Sequence, residues 1–160
     1  MSAKEAYRSI ISSSVQSIDQ KDWTTVVQNR NIYLSIPYLK ALENTTERDI
    51  ELFYGIVYNQ AKEPVMVSVF QLVIFEYRKN DHPKALLRHF HNEANKDDSF
   101  SMYILVCGNV FSDGENGFLW NSKISEEDAV QQVVKITKRI KKNKNTRKKL
   151  SVILFKEFWP

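Results

Sequence analysis

Two adjoining segments dense in β-branched and aromatic residues constrain this chain most. Ile50–Asn59 reads IELFYGIVYN and Val65–Arg78 reads VMVSVFQLVIFEYR. Residues of these types fit a pleated, half-buried surface. The stretch between them, Gln60–Pro64, is short, so the pair predicts an antiparallel hairpin. Pro64 stands at a strand start, where a missing amide donor is tolerated.

Further elements are expected around this hairpin. Ser14–Ile18 is a candidate first strand. Asp19 or Asp22 can cap a short helix over Lys21–Asn29, because an Asp oxygen accepts the free amide hydrogens of a helix start. A second helix is expected over Ile36–Asn44, with Pro37 in its first turn and Tyr38, Leu39 and Leu42 on its apolar face. Asn80–Asp98 is polar, with a short helix at Lys84–Asn92, and reads as an insertion. Ser101–Cys107, SMYILVC, is apolar nearly throughout, which predicts a strand at the sheet centre covered on both faces.

Gly108–Ser122 is expected to be a loop, and Ser125–Lys142 a long amphipathic helix. Ser125 and Asp128 form a variant capping box, with Asp in place of the preferred Glu. Ala129, Val130, Val133, Val134, Ile136 and Ile140 supply the apolar stripe, opposite Lys135, Lys138, Arg139 and Lys142. Leu150–Phe155 is expected to be a final buried strand. Strand, helix and strand of this length imply a parallel pair joined by a right-handed crossover. The fold class is therefore α/β with a mixed sheet, in the order β-α-α-β-β-β-α-β.

With 160 residues the chain fits a single domain over positions 1–160. A lone cysteine, Cys107, excludes an internal disulfide and suits a reducing compartment. The start, MSAKEAYRSIISSSVQ, has no apolar core of a secretory signal. The longest apolar stretch, Val65–Phe75, is interrupted by Ser68 and Gln71 and is too short to span a bilayer. A cytoplasmic protein is expected. Of 23 Lys and Arg residues, nine fall between Lys135 and Lys149. Such a run attracts phosphate, anionic lipid or nucleic acid, or simply forms the solvated back of a helix and the turn after it. Trp23, Trp120 and Trp159 do not interleave with it. A single-strand nucleic-acid site, which needs stacking aromatics in a basic groove, is disfavoured.

The element order, and the segments VCGNVFSDGENGF (Val106–Phe118) and IYLSIPYLKALE (Ile32–Glu43), resemble the GNAT acyltransferase superfamily. The likeness is to bacterial members related to the Fem aminoacyltransferases of peptidoglycan synthesis. The resemblance implies the front part of that fold, lacking a final helix and two strands, and hence a chain truncated at its C-terminus. It implies transfer of an acyl group from acetyl-CoA or another acyl-CoA to an amine, carried by a small molecule or a peptidoglycan precursor. The alternative it implies is a non-catalytic binding or pairing half of a tandem Fem-like protein. In such folds the thioester lies where two parallel strands splay. The positions matching that site are Leu105, Val106 and Cys107 on the strand, then Gly108, Asn109, Gly114 and Gly117 on the loop. A V-shaped opening is therefore expected between Ser101–Cys107 and Leu150–Phe155.

The residues themselves say something similar. Of four glycines in the chain, three (Gly108, Gly114 and Gly117) fall in this one loop, where glycine permits a left-handed backbone or close approach of a ligand. Backbone amides there could face an anion. Yet Phe118, Leu119 and Trp120 separate the glycines from the helix, whose first turn carries Glu126, Glu127 and Asp128, and carboxylates repel a pyrophosphate. Glu76 and Glu115 are candidate general bases, with Tyr77 beside Glu76. Cys107 lacks a base partner in the sequence and reads as a buried small hydrophobe rather than a nucleophile. His82, His89 and His91 have no metal-site spacing, so no metal is expected. The apolar ending LSVILFKEFWP leads to an expectation of self-association, or of a partner domain, through the last strand.

Overall fold

The computed structural model describes residues 7–46, 50–78, 99–111, 117–142 and 150–156. The elements are β1 (Arg8–Ser12), α1 (Gln20–Val27), α2 (Ile36–Thr45), β2 (Ile50–Tyr58), β3 (Pro64–Arg78), β4 (Ser99–Cys107), β5 (Phe118–Trp120), α3 (Glu126–Lys142) and β6 (Leu150–Phe155). The strands form one six-stranded mixed sheet in the order β1-β2-β3-β4-β6, with β5 also on β3. The expected hairpin forms, with Phe53 opposite Phe70 and Gly55 opposite Ser68. β3 and β4 are antiparallel, and β4 and β6 are parallel.

Side chains alternate across a strand, so β2 and β3 feed two cores. On one face Leu52, Tyr54, Val67 and Val69 pack with Trp23 and Val26 of α1 and Leu39 and Leu42 of α2. On the other, Phe53, Val57 and Phe70 pack with Val133, Ile136 and Ile140 of α3. Asp19 provides the cap of α1 by accepting from the Asp22 amide at 2.9 Å. Trp23, fully buried, donates its indole N–H to the Leu34 carbonyl at 2.7 Å, tying α1 to the turn before α2.

Several expectations are corrected. The first strand is not Ser14–Ile18 but Arg8–Ser12, and Val15–Ser17 is a 3-10 turn capped by Ser14. The reason is tertiary: the Val15 amide is taken by the Glu43 carboxylate at 2.7 Å, while the Val15 side chain is drawn into the core under α1 and α2. The segment Gly108–Ser122 is not wholly loop. β3 is longer than β4, and β5 pairs with the part of β3 that β4 leaves open, from Met66 to Ser68. β6 is not buried but half-exposed, with Val152 at 41% and Leu154 at 45% exposure. Leu150 and Ile153 pack partly buried against the core that α3 closes, and among the described residues no strand pairs with the outer edge of β6. β4 is covered only toward its end: Leu105, Val106 and Cys107 are buried, whereas Ser101 is exposed.

The capping box of α3 forms as expected, with the Asp128 amide donating to Ser125 Oγ at 3.1 Å. Its inner stripe is shifted, however. Val134 is exposed, while Gln132 and Thr137 are buried beside Val133 and Ile136. The expected helix at Lys84–Asn92 and the three histidines lie outside the described residues, as does the end of the basic run. Within the run, Lys135, Lys138, Arg139, Lys141 and Lys142 are exposed. No described helix is long and apolar enough to cross a membrane.

Gly55 decides how closely α3 approaches the sheet. A β-carbon there would lie 2.5 Å from Ser68 Oγ and 3.0 Å from Ile136 Cδ1. Ser68 is itself buried, and its hydroxyl has no hydrogen-bond partner. Overpacking of this kind costs roughly 1–3 kcal/mol, and Gly55→Ala is expected to destabilise the fold by that amount in urea unfolding. Ser68→Ala, which removes a hydroxyl buried without a partner, is expected to be neutral or stabilising. Combined with Gly55→Ala, it should recover part of the loss. A double variant no better than Gly55→Ala alone would show that Ile136, not Ser68, sets the limit.

Candidate functional site

The residues that matched the resemblance converge where β4 ends. Leu105 and Cys107 face the α3 core, and Val106 is buried as well. Past Cys107 the chain leaves the sheet and returns as β5. Both ends of this excursion are pinned on one residue of β3. The Gly108 amide donates to the Val69 carbonyl at 3.2 Å, and the Val69 amide donates to the Gly117 carbonyl at 2.7 Å. Gly114 and Glu115, inside the excursion, lie outside the described residues. The backbone of Glu76 and Tyr77 runs in β3 opposite Ser101 and Phe100, and their side chains are likewise outside what is described.

The two described glycines of the loop have structural reasons to be glycine. Gly108 has φ of 134°, a conformation L side chains rarely adopt. A β-carbon on Gly117 would lie 2.2 Å from Gly108 N and 2.7 Å from the Cys107 carbonyl carbon, so the chain crosses itself there with no room for a side chain. Three amides of the turn also point inward. Gly108 donates to Val69, Val110 to Gln71 Oε1 at 2.9 Å, and Phe111 to Asn109 Oδ1 at 2.9 Å. These amides hold the turn together instead of forming a ready-made anion nest.

A buried polar network fixes the turn. Gln71, in the middle of β3, is fully buried. Its Oε1 accepts from Val110, and its Nε2 donates to Asn109 Oδ1 at 3.3 Å. Asn109, 8% exposed, donates its Nδ2 to the Tyr38 hydroxyl on α2. Tyr38 meets Tyr33 edge-on at 5.1 Å between ring centres. On the other side, Lys156 Nζ donates to the Asn109 carbonyl at 3.2 Å. β3, α2, the turn and the end of β6 are thus joined through one asparagine. The sequence reading found Asn109 but missed Gln71, Tyr38 and Lys156 as its partners. The available signal was Gln71 itself, a polar break in an apolar run.

The expected opening between the parallel strands is closed. Pairing runs from Tyr103–Leu150 to Cys107–Phe155, and the Lys156 amide then donates to the Cys107 carbonyl at 3.2 Å. Gly108 accommodates this closure. Having no side chain, it lets the Lys156 stem pack against it, where a β-carbon would be 3.3 Å from Lys156 Cβ. Among the described residues no cluster of three or more His, Cys, Asp or Glu could hold a metal. The chain matches no family model, and no curated protein and no solved structure shows significant similarity to it.

Burial pushes the Cys107 thiol from 9.0 up to about 12, so thiolate is scarce near neutrality. Tyr54 and Tyr58 are raised too, first by burial, then by the Glu43 charge and by a 2.9 Å hydrogen bond to Asp22 respectively. All three keep a proton in the folded state that the unfolded chain releases at lower pH. Their contribution to stability is full below the unfolded values and disappears as pH rises through the folded ones. The melting temperature is therefore expected to fall as pH climbs from about 9 toward 12. Cys107 should resist an aromatic disulfide reagent near neutral pH until urea unfolds the chain. Fast labelling of the native protein would overturn the burial argument.

Proposed function

We propose that this chain is the donor-binding part of a GNAT-type N-acyltransferase, which moves an acyl group from an acyl-CoA to an amine. The observation that carries the reading is the joining of an antiparallel run, β1 to β4, to a parallel neighbour, β6, through the single helix α3, with α1 and α2 inserted between β1 and β2. In open α/β sheets ligands collect outside the carboxyl ends of parallel strands. There the Asn109 turn and Lys156 are held together.

Because β4 and β6 stay paired to Cys107–Phe155, the donor would lie beyond that last rung, against the turn, and not between the strands. With the Gly108, Val110 and Phe111 amides engaged internally, Lys156 is a cation that would face the donor's phosphates. In the transfer, the neutral amine attacks the thioester carbonyl carbon. A C–N bond forms, the C–S bond breaks, and the thiolate of coenzyme A leaves. The amine proton would pass to Glu115, the candidate carboxylate carried by the same loop, since Glu76 pairs opposite Ser101 at the other end of β4 from Cys107. A reducing, cytoplasmic setting belongs to the same reading, since acyl-CoA is an intracellular donor and Cys107 is a free thiol.

The second reading, a non-catalytic pairing half of a Fem-like protein, is favoured by the closed strand pair and by the half-exposed β6. A thermal-shift titration with acetyl-CoA separates the two. The transferase reading predicts a dose-dependent rise in melting temperature, since ligand at a hundred times its dissociation constant adds about 2.7 kcal/mol. Lys156→Gln should weaken that response about tenfold, the size of one lost charge-assisted contact, read against the variant's own ligand-free melting temperature because Lys156 also donates to the Asn109 carbonyl. No shift with acetyl-CoA, together with a dimer that grows with concentration in light scattering, would establish the pairing reading.

A further inference from the structure

Resting on the acyl-CoA reading, we infer that Gln71 is a positioning residue of the donor site. It touches no donor atom, and acts by setting the backbone of Asn109, Val110 and Phe111. A fully buried primary amide in the middle of an apolar strand is costly unless every polar atom is used. Here both are used, and both on the turn. Oε1 takes the Val110 amide at 2.9 Å, and Nε2 reaches Asn109 Oδ1 at 3.3 Å. Asn109 Oδ1 simultaneously takes the Phe111 amide at 2.9 Å, so Gln71 fixes which way the Asn109 amide faces. With the Asn109 side chain fixed, its Nδ2 is aimed at Tyr38, and its main chain meets Lys156 at 3.2 Å. Phe111, presented by the same turn, is 62% exposed. The cation and the exposed ring at this end of the sheet thus depend on one buried amide.

The donor–acceptor polarity of the amide is what matters, and it can be reversed chemically. In Gln71→Glu, an ionised carboxylate still accepts from Val110 but sets an oxygen against Asn109 Oδ1. Protonation restores a donor on that side. Burial favours the neutral acid, which brings its titration into an accessible range. Because an ionised carboxylate costs stability wherever it is buried, the loss of affinity counts for the positioning role only where the melting temperature shows the variant still folded.

The experiment follows the Val110 and Phe111 amide resonances and acetyl-CoA affinity of the wild type, Gln71→Glu and Tyr38→Phe between about pH 8 and pH 5, the range in which a buried Glu titrates. Relative to the wild type at each pH, Gln71→Glu is expected to bind about tenfold more weakly at the alkaline end, the loss of one buried hydrogen bond. It should return to within about threefold at the acid end, with its two resonances moving to wild-type positions in step. Tyr38→Phe, at a partly buried position, should lose about threefold with no pH reversal. A pH-independent ratio for Gln71→Glu beside a binding wild type would overturn the positioning role alone. Absence of binding by the wild type would overturn the acyl-CoA reading and this role with it.

Discussion

Strand β3 places side chains in both cores, and its neighbours on one side are too short to cover it singly. β4 pairs with it from Phe70 onward, β5 from Ser68 back to Met66, and the residue between them, Val69, receives the two ends of the chain excursion. An inner strand cannot leave buried amides without partners, since each costs about as much as a lost hydrogen bond. The excursion after Cys107 and the return at Gly117 are therefore consequences of β3 as much as of the loop's own residues. A β-carbon on Gly117 would stand against backbone, whereas at Gly108 it would meet the Lys156 side chain, and there the positive φ of 134° is the constraint.

The same constraint explains the polar cluster. A turn that folds back over the sheet carries amides onto an apolar surface, where water cannot serve them. Gln71 and Asn109 take over that service, and Tyr38 extends it to α2. The resulting network is satisfied at its centre, in contrast to Ser68 on the opposite face, whose hydroxyl is buried without a partner. One face of β3 thus carries a polar device and the other a small-residue depression that seats Ile136.

Gly108 accommodates the closed strand pair. The absence of a side chain brings Lys156 across the strand end, so the feature that suggested room for a ligand has filled that room with chain. A glycine in a loop signals close approach, but not whether the approaching group is a ligand or the protein itself. This ambiguity separates the acyl-transfer reading from the pairing reading.

The hairpin of β2 and β3, the helix starting at Ser125 and the parallel placement of β6 beside β4 were legible in the sequence. Each rests on a local rule: β-branched runs, capping spacing, and the length a crossover needs. The candidate turn was legible too, through its glycines. What the sequence could not contain was which groups meet there, because Gln71, Asn109, Tyr38 and Lys156 lie far apart along the chain and meet only when four elements pack. The misplaced first strand has the same origin, since the Glu43 carboxylate that takes the Val15 amide belongs to a distant helix. Local pattern determined the elements; the tertiary structure alone decided their polar partners, since a buried hydrogen bond depends on distance in space and not along the chain.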